Sequence, residues 1–345
     1  SGSVRMSRPL LVMDQHFRRV EELFSPEAFS KLDGLCRIEG ALNWPMDASR
    51  LRRLLKEAEF LVAARPALSP EDLARASRLR AVIEVSGAFH GEIDYDACFE
   101  RRVEVLSCAP GFRRSVAEMG LAMILAAARG LVAEHEAFRI GAERWRDDRE
   151  GRDFTLFGQS VGFVGYGSIA RELHRLMQPF EPAVSAYDPW VDTLPDDVAR
   201  CDLLELFGRS RIVVITAVPS DDNRGLVGPD HIRARPGPAL LVLLSRAHVL
   251  DFDAACEAAR LGRITFATDV YPTEPLPRDH NLRSSPNIIL SPHRAAAVEG
   301  GRRQIGEMIV HDVEAILDGR YDRRLAQADP ARIGGLVAAQ AQTPD

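Results

Sequence analysis

QSVGFVGYGSIARELHRLMQPFEPAVSAYDPW, residues 159–190, is the stretch on which the reading of the fold turns. It opens with an apolar, β-branched and aromatic run at 161–164, the pattern of a buried strand. Gly165-x-Gly167-x-x-Ala170 follows, and then Ile169, Leu173, Leu176 and Met177, spaced to share one helix face. A second apolar run at 183–186 leads to Asp188, about 20 residues beyond the first glycine, the spacing of a dinucleotide fingerprint. Each position has a physical task. Gly165 permits the tight turn, Gly167 lets the backbone approach a pyrophosphate, and Ala170 keeps helix and sheet close. The helix N-terminus offers unpaired N–H groups and a positive dipole end, and Asp188 can accept hydrogen bonds from ribose hydroxyls. A bare glycine motif arises often by chance; strand, turn, helix, strand and acid in this order do not.

Working outward, a chain of 345 residues with 46% hydrophobic residues can bury two sizeable cores, so two domains are expected. A net charge of -6 argues against a nucleic-acid footprint or a polybasic membrane surface. No apolar stretch has the length of a membrane span, and no signal-peptide core is evident. Cys36, Cys98, Cys108, Cys201 and Cys256 are scattered without CxxC spacing and read as thiols of a reduced, cytoplasmic protein. No metal-ligand pattern stands out.

Before the glycine motif, apolar runs at 10–13, 35–38, 60–63, 81–85 and 103–106 alternate with helical patterns at 49–58, 70–76 (Ser69 as N-cap) and 95–101. This alternation predicts a parallel doubly wound domain. No glycine-rich loop follows its first strand, so it is not the nucleotide binder. A long helix is expected from Ser115 to about Gly141, with Ser115 and Glu118 at capping-box spacing and an apolar first half buried on several sides, in part against a second subunit. After the motif come runs at 212–218, 240–244, 264–267 and 288–290, then a helix over 298–317. The Ala-, Gln- and Pro-rich tail beyond Tyr321 carries little packing signal and is expected to be loosely held.

The chemistry is a matter of position. Ligands of open parallel sheets bind beyond the carboxyl ends of the strands, and four runs end in suitable residues: Ser86-Gly87, Ser245-Arg246, Glu274 and His293. Arg246 can hold a 2-oxo acid with a planar fork of donors. His293 can give or take a proton near neutral pH, and Glu274 can orient the imidazole and favour its charged form. His90, His248 and His280 also fall in loops near this rim, and position alone leaves His90 open as a rival.

The stretches SVAEMGLAMILAAARG (115–130), VGFVGYGSIA (161–170), AYDP (186–189), ATDVYPTEPLP (267–277) and SPHRAAA (291–297) resemble the D-isomer-specific 2-hydroxyacid dehydrogenase family. The resemblance implies an α/β protein of two doubly wound parallel-sheet domains. One is a flavodoxin-like substrate domain over 5–112 plus 296–330, the other a Rossmann NAD-binding domain over 113–295, with the active site in the cleft between them. It implies catalytic Arg246, Glu274 and His293, and a substrate carboxylate held by the loop of Ser86, Gly87 and Ala88. Gly165, Gly167, Ser168, Ile169, Asp188, Pro219 and Asp269 would meet NAD, Asp269 near the nicotinamide. The expected assembly is a homodimer. The sequence departs from the family pattern at Leu243, Ala247, Phe89, Phe112 and Asn223, of which Phe89 and Phe112 are expected to reshape the substrate side. Other readings of the same residues are a variant substrate such as phosphite, formate or a phosphonate-bearing oxo acid, or an NAD-sensing binding protein like a co-repressor.

Overall fold

Leu10, Leu11, Val12 and Met13 are all buried, as a strand with helices on both faces requires. In the computed structural model, which describes residues 7–14, 18–41, 43–44, 46–147 and 151–341, they form β1 (Leu10–Asp14). It is followed by β2 (Arg37–Ala41), β3 (Ala58–Ala63), β4 (Ala81–Glu84) and β5 (Glu104–Ser107). Next come β6 (Ser160–Val164), β7 (Ala183–Tyr187), β8 (Val198–Arg200), β9 (Ile212–Ile215), β10 (Ala239–Leu243), β11 (Ile264–Thr268), β12 (Ile288–Leu290) and β13 (Ala326–Gln327). Two units result: Ser1–Phe112 with Val298–Ala338, and Arg113–Ala297 with Ala339–Asp345.

The sheet of the first unit has the order β13-β5-β4-β3-β1-β2, parallel except for β13. Its first five strands thus follow the flavodoxin-like order. Period-two alternation divides the core between its faces. Leu11, Met13, Phe60, Val62 and Ile83 pack on one side with the helices Pro26–Leu35 and Arg303–Leu317. Leu10, Val12, Leu61, Ala63 and Val82 pack on the other with Leu55, Leu73 and Cys98 from the intervening helices. Ser69 caps Pro70–Arg75, its Oγ accepting from Asp72 N at 3.1 Å.

Four expectations are corrected here. The apolar run at 35–38 is not one strand: Leu35 ends a helix and β2 starts at Arg37. The tail is not loosely packed, because β13 pairs antiparallel with β5 and both Leu325 and Ile333 are buried. Two short pieces suffice to hold it, and composition does not register them. The long helix is two, Arg113–Ala128 and Leu131–Arg139, bent by 62° at Gly130, whose φ of 61° is a left-handed break. Ser115 lies inside the first of these rather than at its cap, so the capping box is not the start signal.

The second unit's sheet runs β12-β11-β10-β9-β6-β7-β8, all parallel, with β6 at the point where the order reverses. The edge strand β8, absent from the sequence reading, has only Val198 buried, too little apolar content to register as a run. The helix Arg113–Ala128 lies close over this sheet because Gly120 has no side chain. A Cβ there would stand 2.6 Å from Leu244 Cδ1 and 3.2 Å from Leu173 Cδ2. No single helix among the described residues is long and apolar enough to cross a membrane.

Candidate active site

The glycine loop leaves β6 at the switch point of the sheet. Gly165 has φ 85°, and a Cβ on it would meet Ala217 Cα at 2.6 Å, so both backbone and neighbour demand glycine. A Cβ on Gly167 would meet nothing within 4 Å: the space beside it is open. Gly167 is also the N-cap of the helix Ser168–Met177 and brings no side chain to its first-turn N–H groups. Open space beside uncapped amides at a helix N-terminus fits a pyrophosphate. Between the two glycines, Tyr166 is buried, and its hydroxyl meets His174 Nδ1 at 2.7 Å, tying the loop to the helix it precedes. Arg171 lies over the same ring at 4.8 Å. Burial holds His174 below its ordinary pKa, with Asp197 opposing.

Asp188 stands just beyond β7. Its Oδ2 accepts from Tyr166 N at 2.7 Å and its Oδ1 from Trp190 N at 2.9 Å. Arg200 donates to the carbonyl oxygens of Asp188, Val191 and Asp192 at 2.9, 2.6 and 3.2 Å, which fixes the turn that carries the acid. Each carboxylate oxygen keeps a lone pair for a ribose hydroxyl. Pro219 lies in the loop after β9. There Asn223 accepts from Ser220 N at 2.8 Å and donates to Val218 O at 2.8 Å, the work done by the residue that replaces threonine.

Arg246, Glu274 and His293 follow β10, β11 and β12, and their side chains meet. His293 Nδ1 is 2.6 Å from Glu274 Oε2, and its Nε2 is 3.4 Å from Arg246 Nη1. The other Glu274 oxygen accepts from Tyr271 N at 3.0 Å, so the carboxylate is aimed by its own loop. Glu274 fixes the His293 tautomer, with the proton on Nδ1 and Nε2 directed toward the guanidinium. His293 holds φ 50° because its N–H donates to Asp269 O at 2.8 Å. A histidine tolerates that region better than most residues, and the strain marks a position set by its surroundings.

Asp269, which the resemblance puts near the nicotinamide, is engaged by the loop that follows β12. It is buried, and its carboxylate accepts from Ser291 Oγ (2.6 Å), Arg294 N (2.8 Å) and Ala295 N (3.0 Å). It therefore anchors the loop that presents His293. Of the rival histidines, His248 donates to Ser220 O at 2.6 Å from a buried position, and burial lowers its pKa. His280 accepts from Leu282 N as a cap.

In the first unit, the loop after β4 differs from its reading. Glu84, fully buried, accepts from Ser86 N at 2.8 Å, Gly87 N at 3.0 Å and the hydroxyls of Ser86 and Ser107. Burial pushes its pKa up, against these donors. The amides of Ser86 and Gly87 thus point at an internal carboxylate and not outward to a substrate. Ala88 comes next in the loop, followed by Phe89, whose ring packs into the core against Tyr95 (6.4 Å between centroids). Of the two phenylalanines expected to reshape the substrate side, Phe112 is the one at the loop, since a Cβ on Gly87 would stand 2.8 Å from its ring. His90 Nε2 is 2.7 Å from Ser86 Oγ. Glu84 is the residue the sequence reading missed; a glutamate inside an otherwise apolar run at 81–85 was its signal.

The family model described as "D-isomer specific 2-hydroxyacid dehydrogenase, NAD binding domain" matches residues 121–295. A D-3-phosphoglycerate dehydrogenase of Methanocaldococcus jannaschii is 26% identical over 301 residues, 85% of this chain and 56% of that protein. The chain thus spans little more than half of that relative. A glyoxylate reductase of Thermofilum pendens is 26% identical over 305 residues, 85% of this chain and 88% of that one. Among solved structures, a phosphoglycerate oxidoreductase from Rhizobium etli is 32% identical with a TM-score of 0.81, covering 93% of this chain and 99% of that one.

Proposed function

The chain belongs to the D-isomer specific 2-hydroxyacid dehydrogenase family, and on that premise we propose that it is an NAD-dependent oxidoreductase interconverting a small 2-oxo acid and its D-2-hydroxy acid. The observation that carries the reading is the run Arg246–His293–Glu274, at 3.4 and 2.6 Å, on the same strand ends as an open glycine loop. Bound nicotinamide supplies or accepts the hydride. The chain's own residues manage the proton and the charge. An oxygen placed between His293 Nε2 and Arg246 would accept from both, so a carbonyl is polarised there and its developing alkoxide takes the Nε2 proton. Glu274 balances the imidazolium that this requires. In the reverse direction neutral Nε2 takes the hydroxyl proton. Arg246 presents a fork that also suits a carboxylate.

Gly165, Gly167, Ser168 and Ile169 line the phosphate end of the cofactor site in this reading, Pro219 closes its loop, and Asp188 reads the ribose. The relatives named above favour a hydroxy acid over phosphite, formate or phosphonate chemistry and over a co-repressor role. The test is NADH oxidation over a series of 2-oxo acids. His293→Ala should lose on the order of 10²- to 10⁴-fold in turnover, the usual worth of a positioned proton donor. Near-wild-type turnover in that variant, with loss in His90→Ala, would assign the proton to His90.

The reading extends to a cytoplasmic homodimer. Leu131, Phe138, Ile140 and Trp145, on and just after the Leu131–Arg139 helix, are 64%, 57%, 79% and 77% exposed. Apolar side chains so concentrated call for a partner, and a second copy of the same surface is the commonest one. Sedimentation should give a dimer at micromolar concentration; a monomer there removes this part.

A further inference from the structure

Glu274 and His293 lie 19 residues apart, on loops that leave different strands, yet their side chains meet at 2.6 Å. Those side chains are 31% and 43% exposed, so burial does not hold them in place. Loops keep such a separation only where other contacts fix both backbones. The residue common to both is Tyr271. Its backbone N–H donates to Glu274 Oε1 at 3.0 Å, and its hydroxyl donates to Ser291 O at 2.9 Å. The same carbonyl oxygen accepts from His293 N at 3.0 Å, closing the turn about Pro292 that presents the histidine. Tyr271 thus reaches Glu274 through its main chain and the backbone of His293 through its side chain.

The ring is seated to deliver that hydroxyl. Tyr271 is buried and packs edge-on to Phe252 with centroids 6.1 Å apart, and Phe252 meets Phe266 in the same way at 5.4 Å. Phe266 belongs to β11 and Phe252 to the helix Phe252–Arg260, so the phenol rests on the core of the second unit. A buried phenol needs an acceptor. Thr268 O stands 3.5 Å from the hydroxyl, beyond the usual range, which leaves Ser291 O as the partner. The strand that leads to Ser291, β12, has three residues and lies at the edge of its sheet, so few ladder hydrogen bonds secure it. Asp269 holds the following loop at Ser291 Oγ, Arg294 N and Ala295 N. Tyr271 holds it at the one carbonyl that His293 N also uses. Burial pushes the phenol up to about 12, so it stays a neutral donor throughout the range in which a histidine titrates.

We infer that Tyr271 is a positioning residue for proton transfer: its hydroxyl, through Ser291 O, holds His293 in register with Glu274. This role rests on the proposed hydroxy-acid reading, in which His293 Nε2 delivers the proton. Arg246 and the glycine loop do not touch the hydroxyl, so binding of substrate and cofactor is independent of it.

Tyr271→Phe removes the hydroxyl and keeps the ring. Steady-state NADH oxidation by the full chain is measured with whichever of hydroxypyruvate, glyoxylate and pyruvate turns over fastest. In Tyr271→Phe, kcat should fall roughly tenfold, short of the 10²-fold that a misplacement of about 1 Å can cost. KM for the acid and NADH affinity by fluorescence should stay within about twofold, the split expected when only the chemical step is impaired. In a His293→Ala background the same change should cost less than about twofold, since no imidazole remains to be held. Tyr271→Leu, which discards ring and hydroxyl together, should lower the melting temperature more than Tyr271→Phe and reduce kcat at least as far. Full turnover in Tyr271→Phe with loss only in Tyr271→Leu would assign the effect to ring packing and overturn the role. An equal loss from Tyr271→Phe with and without His293 would overturn it as well. If the unaltered chain reduces none of these acids although NADH binds, the hydroxy-acid reading itself fails, and the role falls with it.

Discussion

The loop after β6 and the loop after β4 both leave a central parallel strand at its carboxyl end, and they treat their amides in opposite ways. Beyond β6, Gly167 caps its helix with nothing, open space lies beside it, and Asp188, just past the neighbouring strand β7, accepts from Tyr166 N and Trp190 N. Beyond β4, Glu84 sits on the strand itself and turns the amides of Ser86 and Gly87 inward. A strand end receives anions where its N–H groups have no internal acceptor; a single glutamate one residue inside the sheet supplies that acceptor. In the proposed reading the first loop is a receptor, while the second is a brace.

The largest test of this contrast is glycine replacement. Gly165→Ala imposes a left-handed backbone costing about 1–2 kcal/mol and forces a methyl group against Ala217, an overpacking of about 1–3 kcal/mol. NADH affinity measured by fluorescence should fall on the order of 10²-fold, with a lower melting temperature. Gly87→Ala also has a positive φ, 99°, but meets the Phe112 ring rather than backbone. It should raise the KM for the oxo acid and leave NADH affinity within about twofold. Equal loss of NADH binding in both variants would erase the distinction between receptor and brace.

A smaller effect is expected at Asp188. Its carboxylate suits a free ribose diol and repels a 2′-phosphate in the same place. Asp188→Ala should therefore narrow the preference for NADH over NADPH about tenfold or more, mostly through weaker NADH binding. An unchanged ratio would mean that Asp188 serves only to hold Tyr166 N and Trp190 N, as Glu84 holds the other loop.

The smallest effect concerns pH. His174, 5% exposed and bonded to the Tyr166 hydroxyl, has its pKa lowered by burial from 6.5. Between the lowered folded value and 6.5 the unfolded chain binds a proton that the folded chain refuses, so this residue's contribution to stability falls as pH drops through that window and is level above it. His174→Gln should flatten the dependence of melting temperature on pH below 6.5 relative to the unaltered chain. A pH profile identical in both would show that the Tyr166–His174 contact carries no such linkage.

Much of this was legible from residues alone because the signals are local. Strand periodicity, the glycine turn and the acid at the next strand end all lie within 159–190, and the matches at 267–277 and 291–297 single out Glu274 and His293. Strand positions and turn conformation follow from such patterns, since each is set by neighbours in the chain.

What only the tertiary structure decided is how polar groups pair across distance. Folding encloses Asp269 and assigns both of its oxygens to the loop that aims His293. Glu84 reads as part of an apolar run, and its capture of Ser86 and Gly87 is joined by the hydroxyl of Ser107, from the adjacent strand. Periodicity states which face a residue occupies. Which donor meets which acceptor is decided by burial, because a polar group withdrawn from water must take whatever partner the fold brings to it.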